Sequence, residues 1–130
     1  MMDKKLIEKY LKLYPRIDEE IKNLEDDVDF FKTEIAEYES RSIFSRNDTE
    51  NLESAKEGLQ EAADLCFEHM KAKLAIRRAL SIFNRQLIEL HFWKSETAKW
   101  DEVAKEMGIS KRTAAKMYKE FIEKVQKIIK

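Results

Sequence analysis

A regular spacing of large apolar residues between positions 17 and 38 constrains the fold of this chain more than any other feature. The steps between these residues alternate between four and three for three heptads without a break. The members are Ile17, Ile21, Leu24, Val28, Phe31, Ile35 and Tyr38. Because an α-helix turns once in about 3.6 residues, this spacing places all of them on one face. The pattern predicts a long helix with the a/d seam of a coiled coil.

The scarcity of turn-forming residues extends the helical prediction to the whole chain. The 130 residues include 2 Gly and 1 Pro, and 39% of them are charged. Since a sheet needs turns rich in Gly and Pro between its strands, we expect an all-α protein. The 43% of apolar residues is sufficient for a hydrophobic core. The single cysteine, Cys66, excludes an internal disulfide and indicates a chain that does not depend on an oxidising compartment.

A second apolar stripe follows a connector predicted at 41–48, where Asn47, Asp48 or Thr49 is expected to cap the next helix. Its members are Leu52, Ala55, Leu59, Ala62, Cys66 and His69. These side chains are mostly small, whereas those of the first stripe are large, so the two helices can fold back as an antiparallel hairpin. An intermolecular coiled coil through residues 1–70, which would make a homo-oligomer, is the competing arrangement, and both can occur together.

The net charge of −1 conceals a strong division of charge along the chain. Residues 1–70 contain 10 Lys or Arg and 19 Asp or Glu, a net −9, whereas residues 71–130 contain 15 and 7, a net +8. A basic region of this kind favours an anionic partner, and nucleic acid is the usual one. For the acidic half the sequence leaves three roles open, namely contact with a partner, self-association, and masking of the basic half.

Residues 100–119 have the spacing of a helix-turn-helix. Ala104 is small enough for two helices to approach, Gly108 can end the first helix in a left-handed conformation, and Ile109 fills the angle between them. Ser110 is expected to cap the second helix through its hydroxyl group. The pattern therefore predicts a short helix, a tight turn and a second helix that continues to the end of the chain.

The last helix, at 111–129, is expected to enter the major groove of DNA. Projection at about 100° per residue places its apolar side chains on one side and Arg112, Lys116 and Lys119 on the other. Arg, Lys, Ser and Thr side chains can donate to base edges or phosphates. The predicted DNA-binding residues are Ser110, Lys111, Arg112, Thr113, Lys116 and Lys119, with further phosphate contacts from Lys99, Trp100 and Lys105.

The C-terminal part of the chain also resembles a known group of DNA-binding domains. The segment ALSIFNRQLIELHFWKSETAKWDEVAKEMGISKRTAAKMYKEFIEKV is similar to the region-4-type helix-turn-helix of sigma-70 factors. Within that group it is most similar to phage-encoded transcriptional regulators of the ArpU and RinA type. The resemblance covers about residues 79–130 and rests on the LIELHFW helix, the polar loop, the WDEVAKEMGIS turn and the basic helix. It implies a trihelical domain acting at a promoter, with RNA polymerase as a further partner. The sequence departs from the group at Ala114, where Val or Ile is usual.

These observations predict an acidic coiled-coil helical region at 1–78 and a helix-turn-helix DNA-binding domain at 79–130. The predicted function is that of a DNA-binding transcriptional regulator, with double-stranded DNA as its partner. Two alternatives stay open. One is a phage small terminase-type DNA-packaging subunit, which also joins a helix-turn-helix to a coiled-coil oligomerisation region. The other is a helical protein–protein adaptor that does not bind DNA.

Other kinds of site have little support in the sequence. Cys66 and His69 are two candidate ligands on one helix, which is too few for a metal site. His91 has no Cys or Asp partner for catalysis, and the 2 glycines do not form a phosphate-binding loop. We therefore expect no enzyme, cofactor, metal site or small-molecule ligand. Because the chain lacks a signal peptide and an apolar run of about 18 residues, we expect a cytoplasmic protein without a membrane segment.

Overall fold

The computed structural model describes residues 2–41, 45–83, 85–94 and 99–129. Within these ranges the chain is built from helices without a strand, which confirms the all-α prediction. The helices are α1 (Lys4–Leu13), α2 (Ile17–Glu39), α3 (Arg46–Ile82), α4 (Arg85–Ile88), α5 (Trp100–Met107) and α6 (Lys111–Ile129). A 3-10 turn at Tyr14–Arg16 precedes α2, and a π-helical turn at Glu89–Trp93 follows α4. None of the helices in the described ranges combines the length and the apolar character needed to cross a bilayer.

The long helix α3 begins earlier than the sequence pattern predicts. Ser45 caps it, because its Oγ accepts a hydrogen bond from the Asp48 N–H at 3.1 Å. The Asp48 carboxylate in turn accepts one from the Ser45 N–H at 3.1 Å, and this bond lowers the pKa of the Asp48 carboxyl. The reciprocal pair is a capping box. The prediction of a cap at 47–49 is therefore wrong, and residues 42–44 of the predicted connector lie outside the described residues.

The chain divides into two compact units. Unit 1 comprises Met1–Ile17 together with Lys71–Lys130, and unit 2 comprises Asp18–Met70. These bounds differ from the predicted regions 1–78 and 79–130 for two reasons. The helix α1 contacts α6 and the π-helical turn, which places the N-terminus in the same unit as the C-terminus. In addition, α3 continues without a break from unit 2 into unit 1.

The two units separate charge more completely than the two halves of the sequence do. Unit 1 contains 20 Lys or Arg and 9 Asp or Glu, a net +11, whereas unit 2 contains 5 and 17, a net −12. The difference in net charge is larger between the units because the basic N-terminal helix belongs to unit 1 and not to the acidic unit 2. The basic residues that it and the following turn contribute are Lys4, Lys5, Lys9, Lys12 and Arg16. The more basic unit is thus the one that contains the predicted helix-turn-helix.

In unit 2, the contacts between α2 and α3 pair residues in opposite order along the two helices. The Phe31 ring lies against Gly58, where an added Cβ would come within 2.6 Å of it. Earlier in α2, Glu25 lies near Cys66, and burial followed by the charge of Glu25 raises the pKa of the Cys66 thiol. The residues of both apolar stripes are buried or half-buried. The antiparallel hairpin stays a prediction, which this order of contacts favours.

In unit 1, α1 and α6 lie side by side and run in opposite directions. The Gln126 side chain donates a hydrogen bond to the Met2 carbonyl at 3.2 Å, and the Tyr118 hydroxyl donates one to the Glu8 carboxylate at 2.6 Å. Because Met2 precedes Glu8 while Gln126 follows Tyr118, the two helices are antiparallel. The largest fully buried side chains of the unit are Ile7, Leu11, Ile76, Leu87, Ile88, Val103, Phe121 and Val125.

The π-helical turn fixes the C-terminal end of α1. The predicted LIELHFW helix is in fact the end of α4 followed by this turn, in which the Lys94 N–H donates to the Glu89 carbonyl at 2.8 Å. The wider turn directs the Trp93 Nε1–H to the Leu11 carbonyl at 2.7 Å. The Trp93 ring also stacks on Tyr14, with 5.4 Å between the ring centroids. Since a buried indole N–H needs an acceptor, the bond to Leu11 stabilises the position of α1.

Candidate nucleic-acid interface

The turn between α5 and α6 has the hydrogen bonds of a Schellman motif. Gly108 is left-handed, with φ 71° and ψ 30°. The Gly108 N–H donates to the Lys105 carbonyl at 3.2 Å, and the Ile109 N–H donates to the Ala104 carbonyl at 3.0 Å. Because these bonds satisfy carbonyls that the helix end leaves open, they stop α5 at Met107 and set the direction of the chain into α6. The predicted left-handed glycine is confirmed.

Replacing Gly108 with alanine is expected to lower the free energy of unfolding by about 1–2 kcal/mol, because a Cβ disfavours the left-handed conformation. Steric contact adds nothing to this cost, since a Cβ at this position would meet no atom within 4 Å. Urea unfolding followed by circular dichroism measures the change. Gly108→Asn is the matched control and should cost less, because Asn adopts this conformation more readily. Equal costs for the two variants would contradict the conformational explanation.

Ser110 caps α6 as the sequence predicts. Its Oγ accepts a hydrogen bond from the Thr113 N–H at 3.1 Å, and the two hydroxyl oxygens lie 2.8 Å apart. Both side chains are exposed at the start of α6. Lys111 is also exposed, but its Nζ lies 3.2 Å from the Asp101 carboxylate of α5. The start of α6 therefore presents the hydroxyls of Ser110 and Thr113, which are hydrogen-bonded to each other, and Lys111, which forms an ion pair with Asp101.

The rest of α6 has one buried face and one basic face. Its buried residues are Ala114, Tyr118, Phe121, Ile122 and Val125. Arg112, Lys116 and Lys119 are exposed and lie on the opposite side of the helix. The inward position at Ala114 is fully buried, with 0% exposure, although its side chain is small. The structure thus places three of the predicted DNA-binding cations together on the exposed side of α6.

The predicted phosphate contacts at the start of α5 have different environments. Lys99 and Lys105 are exposed. Trp100 is half-buried, and its ring stacks on His91 with 3.9 Å between the centroids. The ring of Tyr118 lies 4.7 Å from the Trp100 ring. Because Trp100 is held in this aromatic cluster, it contributes first to the packing of α5 against α6 and the π-helical turn.

The bond between Tyr118 and Glu8 joins α6 to α1, and the sequence pattern did not reveal it. Burial of the Tyr118 ring, followed by the hydrogen bond to the Glu8 carboxylate, raises the pKa of the Tyr118 phenol above its usual value of 10.0. The two residues are 110 positions apart in the chain. Because of this separation, no local pattern in the sequence predicts the bond. The helical period of α1 shows only that Glu8 lies near the edge of the apolar face of that helix.

The raised pKa of Tyr118 predicts a loss of stability at alkaline pH. The folded state keeps the phenol protonated while the unfolded chain releases its proton above about pH 10. The stabilising effect is therefore complete below that pH and is lost as the pH rises further, by about 1.4 kcal/mol per pH unit while the two states differ by one proton. Tyr118→Phe should show a shallower decline in urea unfolding above pH 10 than the wild-type protein. Tyr38→Phe, in unit 2, is the control, and an unchanged profile for Tyr118→Phe would contradict the expectation.

The described residues contain no group of three or more His, Cys, Asp or Glu side chains arranged to hold a metal ion.

No family model matches the chain, and no curated protein or solved structure is significantly similar to it. The geometry of unit 1 is therefore the physical basis for a functional inference.

Proposed function

We propose that this protein is a DNA-binding transcriptional regulator that inserts α6 into the major groove. The observation that supports this most directly is the basic face of Arg112, Lys116 and Lys119, which projects from a helix whose other face is buried. A helix in this position can enter the groove, since contacts with α5 and α1 hold its backbone in place. The proposal agrees with the resemblance to sigma-70 region-4-like regulators.

The exposed side chains of α6 suggest how the contacts are divided. Arg112 and Lys116 lie near the N-terminal end of the helix, where a recognition helix reaches base edges. Lys119 lies about one turn beyond Lys116, and we assign it a contact with a DNA phosphate. Ser110 and Thr113 can donate to phosphate or to a base after their mutual bond opens. Lys111 makes the weakest contribution, because Asp101 must first release it.

Binding of the intact protein to duplex DNA across a salt series tests this proposal. We expect the fluorescence anisotropy of a fluorescein-labelled mixed-sequence duplex of about 30 base pairs to increase when the protein binds. The affinity should decrease as the salt concentration is raised from about 50 to about 200 mM. The logarithm of the affinity should fall linearly with the logarithm of the salt concentration, since phosphate contacts release counterions. No binding at the lowest salt concentration would overturn the proposal.

We further propose that unit 2 mediates self-association. Phe30, Leu65 and Phe67 of this unit are exposed, and self-association would remove these large apolar side chains from water. Light scattering of the intact protein, with and without a short duplex, measures the assembly. A dimer suits a promoter-binding regulator, whereas a ring of about eight or more subunits would favour the DNA-packaging alternative. RNA polymerase as a further partner is proposed from the resemblance alone. A cytoplasmic site of action is proposed from the single cysteine, which indicates a chain that does not depend on an oxidising compartment.

A further inference from the structure

We infer that the outer face of α1 is a second phosphate-binding surface, which extends the contact of unit 1 with DNA beyond α6. This inference rests on the proposed function. The surface consists of Lys5, Lys9 and Lys12, at steps of four and three, and Arg16 continues it into the 3-10 turn. All four side chains are exposed. At about 100° per residue they fall within a narrow sector of the helix, and we call them the α1 basic stripe.

The α1 basic stripe faces away from the core of the unit. The opposite face of α1 carries Ile7, Tyr10 and Leu11, which are buried with exposures of 1%, 4% and 0%. The helix therefore has a fixed orientation, because rotating it would expose these side chains to water. Because the packing of α1 holds its apolar face against the core, the α1 basic stripe faces solvent and its cations lie together on the surface.

The α1 basic stripe has few carboxylates to neutralise it. Asp3, the cap of α1, accepts from the Leu6 N–H at 2.9 Å. Among the described residues, Glu8 is the one carboxylate beside Lys5, Lys9 and Lys12, where it also accepts from the Tyr118 hydroxyl. None of the ion pairs found in the described part of the chain involves Lys5, Lys9 or Lys12. The cations of the stripe outnumber this carboxylate, and like charges at steps of four and three repel one another, so a polyanion relieves the repulsion.

The side of α6 that contacts α1 borders its basic face. Gln126, which donates to the Met2 carbonyl, follows Lys119 by seven residues. Seven residues correspond to an offset of only about 20° around a straight helix, so the α1 side and the basic side of α6 are adjacent. A duplex that lies against Lys119 would therefore have α1 next to it and not on the far side of the unit.

The direction of α1 brings its basic end towards the proposed DNA contacts. Because α1 runs antiparallel to α6, the chain beyond Glu8 extends towards the N-terminal end of α6. Lys9 and Lys12 therefore lie at the same end of the unit as Arg112 and Lys116. The bond from Trp93 to the Leu11 carbonyl holds this end of α1 in place. Lysine side chains are long and mobile, so the stripe would bind phosphates without reading the base sequence.

Salt-dependent binding of the intact protein to the same duplex of about 30 base pairs tests the inference. Replacing the three lysines with glutamine should reduce the slope of log affinity against log salt by about 2–3, since each phosphate contact contributes about 0.9. Arginine at the same positions should keep the slope, because the charge is retained. The variants are Lys5→Gln/Lys9→Gln/Lys12→Gln, its arginine counterpart, and the equally charged control Lys22→Gln/Lys32→Gln/Lys56→Gln in unit 2.

The outcomes separate this inference from the proposed function. If the wild-type protein does not bind the duplex, both fail. If it binds, and the glutamine variant of α1 has the same slope as the wild-type protein, only the second surface is overturned. An equal loss of slope in the unit 2 control would also overturn it, because the effect would then follow from net charge alone. All of these lysines are exposed, so each variant should keep its fold, and thermal unfolding of each variant verifies this.

Discussion

Phe121→Ala is expected to lower the free energy of unfolding by about 3–5 kcal/mol, the cost of removing a large buried aromatic side chain. Phe121 is 1% exposed and is among the largest fully buried side chains. Its ring meets Phe83 edge to face, with 6.3 Å between the centroids. Alanine would remove both the apolar area and this aromatic contact, and it would leave a cavity in the core of unit 1. Urea unfolding monitored by circular dichroism measures the loss.

The position of Phe121 on α6 allows a control on the same helix. Glu120 is the preceding residue and is exposed, so Glu120→Ala should change the free energy of unfolding by less than about 0.5 kcal/mol. A cost of about 1 kcal/mol or less for Phe121→Ala would show that this face of α6 is not buried in the core. Because DNA binding requires a correctly placed α6, the same variant should also bind DNA more weakly in proportion to its unfolded fraction.

Arg112→Gln combined with Lys116→Gln is expected to reduce the affinity for DNA by about 2–6 kcal/mol, if both side chains contact base edges. If one or both contact phosphate instead, the salt slope should fall by about 0.9 for each contact. Both side chains are exposed on the face opposite the buried residues, so the variant should fold normally. Anisotropy titrations of the intact protein across a salt series measure affinity and slope together.

A matched control for this pair lies further along the same helix. Lys124→Gln combined with Lys127→Gln removes the same charge about two to three turns beyond Lys116. This control should keep most of the wild-type affinity, since these positions lie beyond the part of α6 that enters the groove. Equal losses in the two double variants would indicate a general electrostatic attraction without a defined interface. Unchanged affinity and slope in the Arg112 and Lys116 variant would contradict the proposed role of α6.

Features that depend on a few neighbouring residues were predictable in detail. The spacing of Ala104, Gly108 and Ile109 predicted the turn after α5, because a left-handed helix end needs glycine wherever it occurs in the chain. Ser110 was predictable as a cap for the same local reason. The cap of α3 was missed because several polar residues precede that helix. Both Ser45 and Asn47 have a carboxylate three residues later, at Asp48 and Glu50, so the sequence did not show which pair forms the capping box; the structure shows the Ser45–Asp48 pair.

The environment of each candidate contact depended on residues that are distant in the sequence. Trp100 looked available for phosphate, but stacking on His91 draws its ring into the aromatic cluster. Lys111 is paired with Asp101 across the turn between α5 and α6. Helical projection places a side chain on a face, but it does not show which neighbouring helix covers that face.

By itself, the sequence determined the helical class of this protein, its division of charge, and the helix-turn-helix with its basic face at Arg112, Lys116 and Lys119. These features follow from local periodicity and composition, which act within a few turns of one helix. Only the tertiary structure decided that α1 packs against α6 and the π-helical turn, and the inferred second phosphate-binding surface rests on this placement. That placement depends on the buried face of α1 and on the bonds that Tyr118 and Trp93 make to it. Such contacts join residues more than 80 positions apart, and an amphipathic helix does not specify which of several apolar surfaces it will cover.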